Sequence, residues 1–86
     1  MEKNNRPNYE QRLGAIRVAI WENVTDGKPW YNVAIARRYK EGDQWRETAT
    51  FNGLGDLAQV GAAVGLAQDW IRRRQEELEY DEAANE

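Results

Sequence analysis

The 86-residue chain contains no cysteine and no histidine. The first absence excludes disulfides and thiolate chemistry. The second removes the usual general base and, with cysteine also missing, the usual zinc ligands. No phosphate loop, nucleophile elbow or metal-ligand spacing occurs anywhere in the chain. The carboxylate pairs Glu22 with Asp26 and Glu41 with Asp43 fall in turn-forming stretches, where solvated acids are expected. No apolar run approaches the roughly 20 residues of a membrane span, and the opening MEKNNRPNYE lacks the apolar stretch of a secretory signal. The expectation is a cytoplasmic protein that is not an enzyme and holds neither metal nor cofactor. On that view the glycosylation sequon at Asn23-Val24-Thr25 is a chance match.

Charge is unevenly distributed. The formal net charge is −3, yet residues 1–74 hold all 12 Lys and Arg against 9 Asp and Glu, while 75–86 hold 6 acids and no base. A mildly basic body therefore carries an acidic end. The length has room for one domain, predicted over residues 11–75, with a flexible N-terminus at 1–10 and a disordered acidic tail at 76–86.

The most organised stretch is Leu54–Ile71, LGDLAQVGAAVGLAQDWI. Leu57, Val60, Val64, Ala67 and Ile71 recur at steps of three and four and share one helical face. Ala62, Ala63, Leu66 and Trp70 extend the apolar surface around the cylinder. A helix apolar over most of its girth is buried on more than one side. In a core this small, one side packs on a sheet and the other on a second copy, with Ala62, Leu66 and Trp70 as the expected dimer seam. Asn52 is a plausible N-cap, and Arg72-Arg73-Arg74 reads as a cationic cluster closing the helix against its C-terminal carbonyls, with Gln75–Glu79 able to add one or two frayed turns.

Before the helix, three segments alternate as half-buried strands: Leu13–Glu22, Trp30–Lys40 and Gln44–Phe51. Gly14 permits a bend that makes Tyr9–Leu13 a separate short strand. Turn chemistry at Thr25-Asp26-Gly27-Lys28 and at Glu41-Gly42-Asp43 makes the set an antiparallel meander. The fold class is α+β: an antiparallel sheet of three to four strands followed by one long C-terminal helix, as a homodimer.

With Ile16, Val18, Ile20, Val33, Ile35, Ala49 and Phe51 turned to the helix, the alternation assigns Arg17, Trp21, Trp30, Asn32, Arg38, Arg46, Thr48 and Thr50 to the outer face. Indoles interleaved with guanidiniums on an open sheet suit single-stranded nucleic acid, with bases on the rings and phosphates on the cations. The competing reading is a protein-interaction module that uses this aromatic face or the acidic tail.

Ala19-Ile20-Trp21-Glu22-Asn23, Tyr31-Asn32-Val33, Arg37-Arg38-Tyr39-Lys40, Trp45 to Phe51 and Trp70-Ile71 match the pattern A-I-W-x-N, Y-N-V, R-x-Y-K, W-x-x-T-x-x-F, W-I. Over about residues 12–71 this resembles a group of small bacterial proteins. In topology it is similar to the single-stranded-DNA-binding transcriptional coactivator superfamily of positive cofactor four, Whirly and Pur-alpha. The resemblance implies a homodimer with packed helices, whose sheets bind unpaired DNA with little sequence preference. It places Arg17, Trp21, Arg38 and Arg46 against the strand.

Overall fold

The structure, a computed structural model, describes residues 6–84. Four strands, β1 (Tyr9–Leu13), β2 (Ile16–Thr25), β3 (Lys28–Glu41) and β4 (Gln44–Thr48), precede one helix, α1 (Gly53–Ala84). The sheet is antiparallel in the order β1-β2-β3-β4, so every connection joins neighbours.

Local chemistry sets the turns. Asp26 and Gly27 form a two-residue loop between paired Thr25 and Lys28, and both have positive φ (56° and 77°). That geometry matches the twist of the flanking strands and favours an Asp-Gly dipeptide. At the β1–β2 turn, Gly14 also has positive φ, and a Cβ there would lie 2.5 Å from the Gln59 side chain. The amide end of that flexible side chain can move aside, so it is the positive φ that favours glycine at this turn.

The core is centred on β2. Ile16, Val18 and Ile20 are fully buried against Ala63 and Ala67 of α1. The two alanines let the helix backbone come close to the strand, and each Val or Ile buried this way stabilises the fold by about 1.5–3 kcal/mol. Tyr9, Leu13, Tyr31, Ile35, Phe51, Val60, Trp70 and Ile71 surround that centre.

Several expectations are corrected. Trp70 belongs to the core rather than to a free seam: it stacks on Tyr9 (5.9 Å) and meets Tyr31 edge-on (6.0 Å). Of its expected companions, Ala62 is exposed and Leu66 half-buried. The large apolar helix residues most exposed are instead Leu54, Leu57, Val64 and Tyr80. The helix does not end at the arginines but runs to Ala84, so the dipole reading of Arg72–Arg74 fails. Residues 76–84 are helical rather than a disordered tail, and Tyr9 and Glu10 lie in β1 rather than in a flexible N-terminus. The rest of those two predicted termini, residues 1–5, 85 and 86, lies outside the described residues.

Arg74 anchors the extension. Its guanidinium grips Glu22 of β2 at both carboxylate oxygens (2.8 and 3.2 Å), and Tyr31 Oη donates to the same carboxylate (3.1 Å). At the other end, Arg37 of β3 donates to the Thr50 carbonyl (2.9 Å) and pairs with Asp56 (3.4 Å). Asp56 in turn accepts the Asn52 backbone N–H (2.7 Å). This chain of contacts pins the loop leading into α1.

Candidate nucleic-acid interface

Register decides which side chains share the uncovered face. β2 and β3 pair with Trp21 opposite Asn32, Asn23 opposite Trp30, and Arg17 opposite Ala36. Since Ile16, Val18 and Ile20 face the helix, these neighbours face away from it. Arg17, Trp21, Trp30, Asn32 and Arg38 thus lie on the outer face, where alternation puts them.

Arg46 and Thr48 do not. The two-residue loop Gly42-Asp43 pairs Glu41 with Gln44, so Lys40 opposes Trp45, Arg38 opposes Glu47, and Tyr39 opposes Arg46. Arg46 and Thr48 consequently share the helix-side face with Tyr39 and Arg37. There Arg46 pairs with Glu41, and Thr48 accepts the Thr50 N–H (3.2 Å). The expectation used Phe51 to set the parity of the third strand. β4 stops at Thr48, however, and Phe51 reaches the core from a loop. A one-residue slip exchanges the two faces of a strand, and here it brings Trp45 and Glu47 outward.

The corrected face is richer in aromatic groups than the expected one. Trp21, Trp30 and Trp45 all lie on it; only Trp70 faces inward. Arg38 sits over the Trp45 ring at 4.6 Å, with Lys40 at 5.8 Å. Trp30 Nε1 donates to Thr25 Oγ1 (2.8 Å), which fixes the indole at the β2–β3 hairpin. Trp30 and Trp45 are 46% and 59% exposed. Trp30 and Arg38 are eight residues apart on β3, about 27 Å at roughly 3.3–3.4 Å per residue. The face thus carries one aromatic cluster at each end.

Between the clusters lies a floor of Ala19, Ala34 and Ala36. Arg17 rises from it, held by Glu10 of β1 on one side and by Glu47 of β4 (3.6 Å) on the other. The hydrogen bond from Arg17, and then its charge, hold the Glu10 carboxyl below the usual value. Arg12, Lys28, Arg38 and Lys40 complete the cationic groups. Arg12, Lys28, Lys40 and Trp45 were missed in the sequence; the alternation that located Arg38 also reaches Lys40 on β3, and the length of the Gly42-Asp43 turn was the signal that would have found Trp45.

The helix-side clefts have a different chemistry. One of about 300 Å³ is lined by Asn8, Glu22, Trp70, Arg73, Arg74 and Glu77. Within it the Arg74 hydrogen bonds depress the Glu22 carboxyl, while burial and then Glu22 raise the Tyr31 hydroxyl. These groups satisfy one another and tie helix to sheet. Among the described residues no group of Asp and Glu is placed to hold a metal ion.

No family model matches the chain, and no curated protein or solved structure matches it either.

Proposed function

We propose that the outer sheet face binds single-stranded nucleic acid, DNA rather than RNA, without catalysis, and that the chain works as a homodimer in the cytoplasm. The observation that carries this is the arrangement of Trp21, Trp30 and Trp45 beside Arg17, Arg38 and Lys40 on a sheet face that the helix leaves open. Flat rings accept any base, and each stacked base contributes about 1–3 kcal/mol. Guanidiniums beside the rings take the phosphates between stacked bases. The reading agrees with what the resemblance to the positive-cofactor-four superfamily implies. It differs from the resemblance in leaving out Arg46 and from the strand alternation in leaving out Arg46 and Thr48, and it takes Trp45 and Lys40 as contact residues.

The test is a fluorescence anisotropy titration of a labelled single-stranded oligonucleotide, with duplex as competitor, over a series of salt concentrations. Log affinity should fall linearly with log salt, and Arg38→Ala should flatten that slope by about 0.7, the share of one single-strand phosphate contact. Binding that prefers duplex, or that ignores salt, would overturn the proposal.

A further inference from the structure

The third strand has an edge that nothing covers. β3 pairs with β2 through Lys28–Arg37 but with β4 only through Arg37–Glu41. Among the described residues, no strand pairs with its other side from Lys28 to Ala36. The Arg38 N–H donates to the Ala15 carbonyl (2.8 Å), on the β2 side. Backbone groups alternate sides along a strand, so the N–H and C=O groups of Tyr31, Val33 and Ile35 point to the open edge. Pro29 shares their parity, and its missing N–H lies where no bond to β2 is lost. Proteins usually blunt such an edge with lysine, proline or a bulge. Here Lys28 and Pro29 guard one end, and Tyr31-Asn32-Val33-Ala34-Ile35 carries no such protection. Val33 is 44% exposed although its side chain faces the helix layer.

The helix leaves a matching strip. Gln59 lies against Gly14 at the β1–β2 turn, and Arg73 lines a cleft with Asn8 at the β1 side. Gln75 and Leu78 line another with Pro29 at the β3 side. At 100° per residue Leu57 and Val64 share the flank of Gln75, opposite that of Gln59 and Arg73. They therefore lie on the β3 side, and they are 53% and 41% exposed. An unpaired strand edge and an uncovered apolar helix flank thus border one another.

We infer that this combined surface joins two copies of the chain. β3 pairs antiparallel with β3 of a second copy about a two-fold axis near Asn32 and Val33, giving one continuous eight-stranded sheet. A second copy is the fitting occupant because an antiparallel ladder of one segment with itself is self-complementary and closes on a two-fold. The helices, each over its own β2, then stand three strand spacings apart, about 14 Å. Leu57 and Val64 of each copy line the seam between them. The pairing of β3 with β4 begins at Arg37 and limits the ladder to the stretch before it. Both outer faces become one surface, with Trp30 and Asn32 from the two copies near its centre. The inference names the surface for the paired state proposed above and does not depend on nucleic acid.

The test uses the full chain without nucleic acid, measuring mass by light scattering and exchange by amide hydrogen–deuterium NMR. At a concentration where the mass is that of a dimer, the Tyr31, Val33 and Ile35 amides should exchange at least tenfold more slowly than in Val33→Lys. That variant should be a folded monomer by circular dichroism, and Val64→Glu should reproduce its mass. Ala62→Glu, on the opposite flank, should remain a dimer. A dimer whose three amides exchange freely would overturn the inference, as would a dimer lost in Ala62→Glu but kept in Val33→Lys and Val64→Glu. A wild-type monomer at every concentration would also overturn it. Failure to bind oligonucleotide would leave this pairing untouched and remove only the binding reading.

Discussion

Trp45 shows how much depends on one turn. As a strand residue two places from Glu47, it sits on whichever face the Gly42-Asp43 loop selects, and the Glu41–Gln44 pairing selects the outer one. Trp45→Ala is expected to weaken single-strand binding by about 5- to 160-fold, the equivalent of one lost stack. Its circular dichroism should be unchanged, because the ring is 59% exposed and outside the core. Arg17 leads to a prediction of the opposite sign. Glu10 and Glu47 compete with phosphate for its guanidinium, so Glu47→Gln should tighten binding several-fold and steepen its salt dependence. Anisotropy titrations at two salt concentrations check both. At this scale alternation alone located Arg17, Trp21, Trp30, Asn32 and Arg38, since unbroken period-2 runs in β2 and β3 share one register. It misassigned Arg46 and Thr48 because a short edge strand carries too few apolar residues to reveal its parity.

The elements themselves were legible, since each strand is bounded by a turn whose chemistry is local. Helix length was not. The polar, acidic composition after Arg74 reads as a solvated tail, but the Arg74–Glu22 contact spans 52 positions of sequence and no local pattern reports it. That contact ties the second half of α1 to β2, and its contribution depends on pH. The folded-state Glu22 pKa lies below its ordinary value of 4.5. The stabilisation is therefore complete above that value and is lost as pH falls through the lower, folded one. Glu22→Gln should cost about 1–2 kcal/mol at neutral pH, and the difference from wild type should vanish at low pH. Urea denaturation over a series of descending pH values from about 7 measures both. Ala63 contributes differently, through its small size. Ala63→Leu would force α1 away from Ile16 and Val18 and should destabilise by about 1–3 kcal/mol, read in the same titration.

At the scale of the molecule, α1 spans 32 residues, about 48 Å, and its last turns carry Glu76, Glu77, Glu79 and Asp81. Because this segment is helix, its acids are held along the helix axis and cannot fold back over the outer face of their own sheet. Changing these four residues to their amides should speed association with a single strand at low salt by about two- to tenfold, since distant charge acts on encounter. Dissociation should be unaffected, and the difference should shrink as salt rises. Stopped-flow traces at two ionic strengths separate the rates. A tail lying across the binding face would instead alter dissociation.

The rigid acidic spar has one more consequence. With excess positive charge on the sheet and negative charge along the last turns of α1, which lie beside the β2–β3 hairpin on the helix side, the molecule carries a dipole between its two layers. In the field of any polyanion it experiences a torque before it makes contact. On the proposed reading it turns its outer face forward, so the encounter with a single strand is sorted by orientation before any indole meets a base.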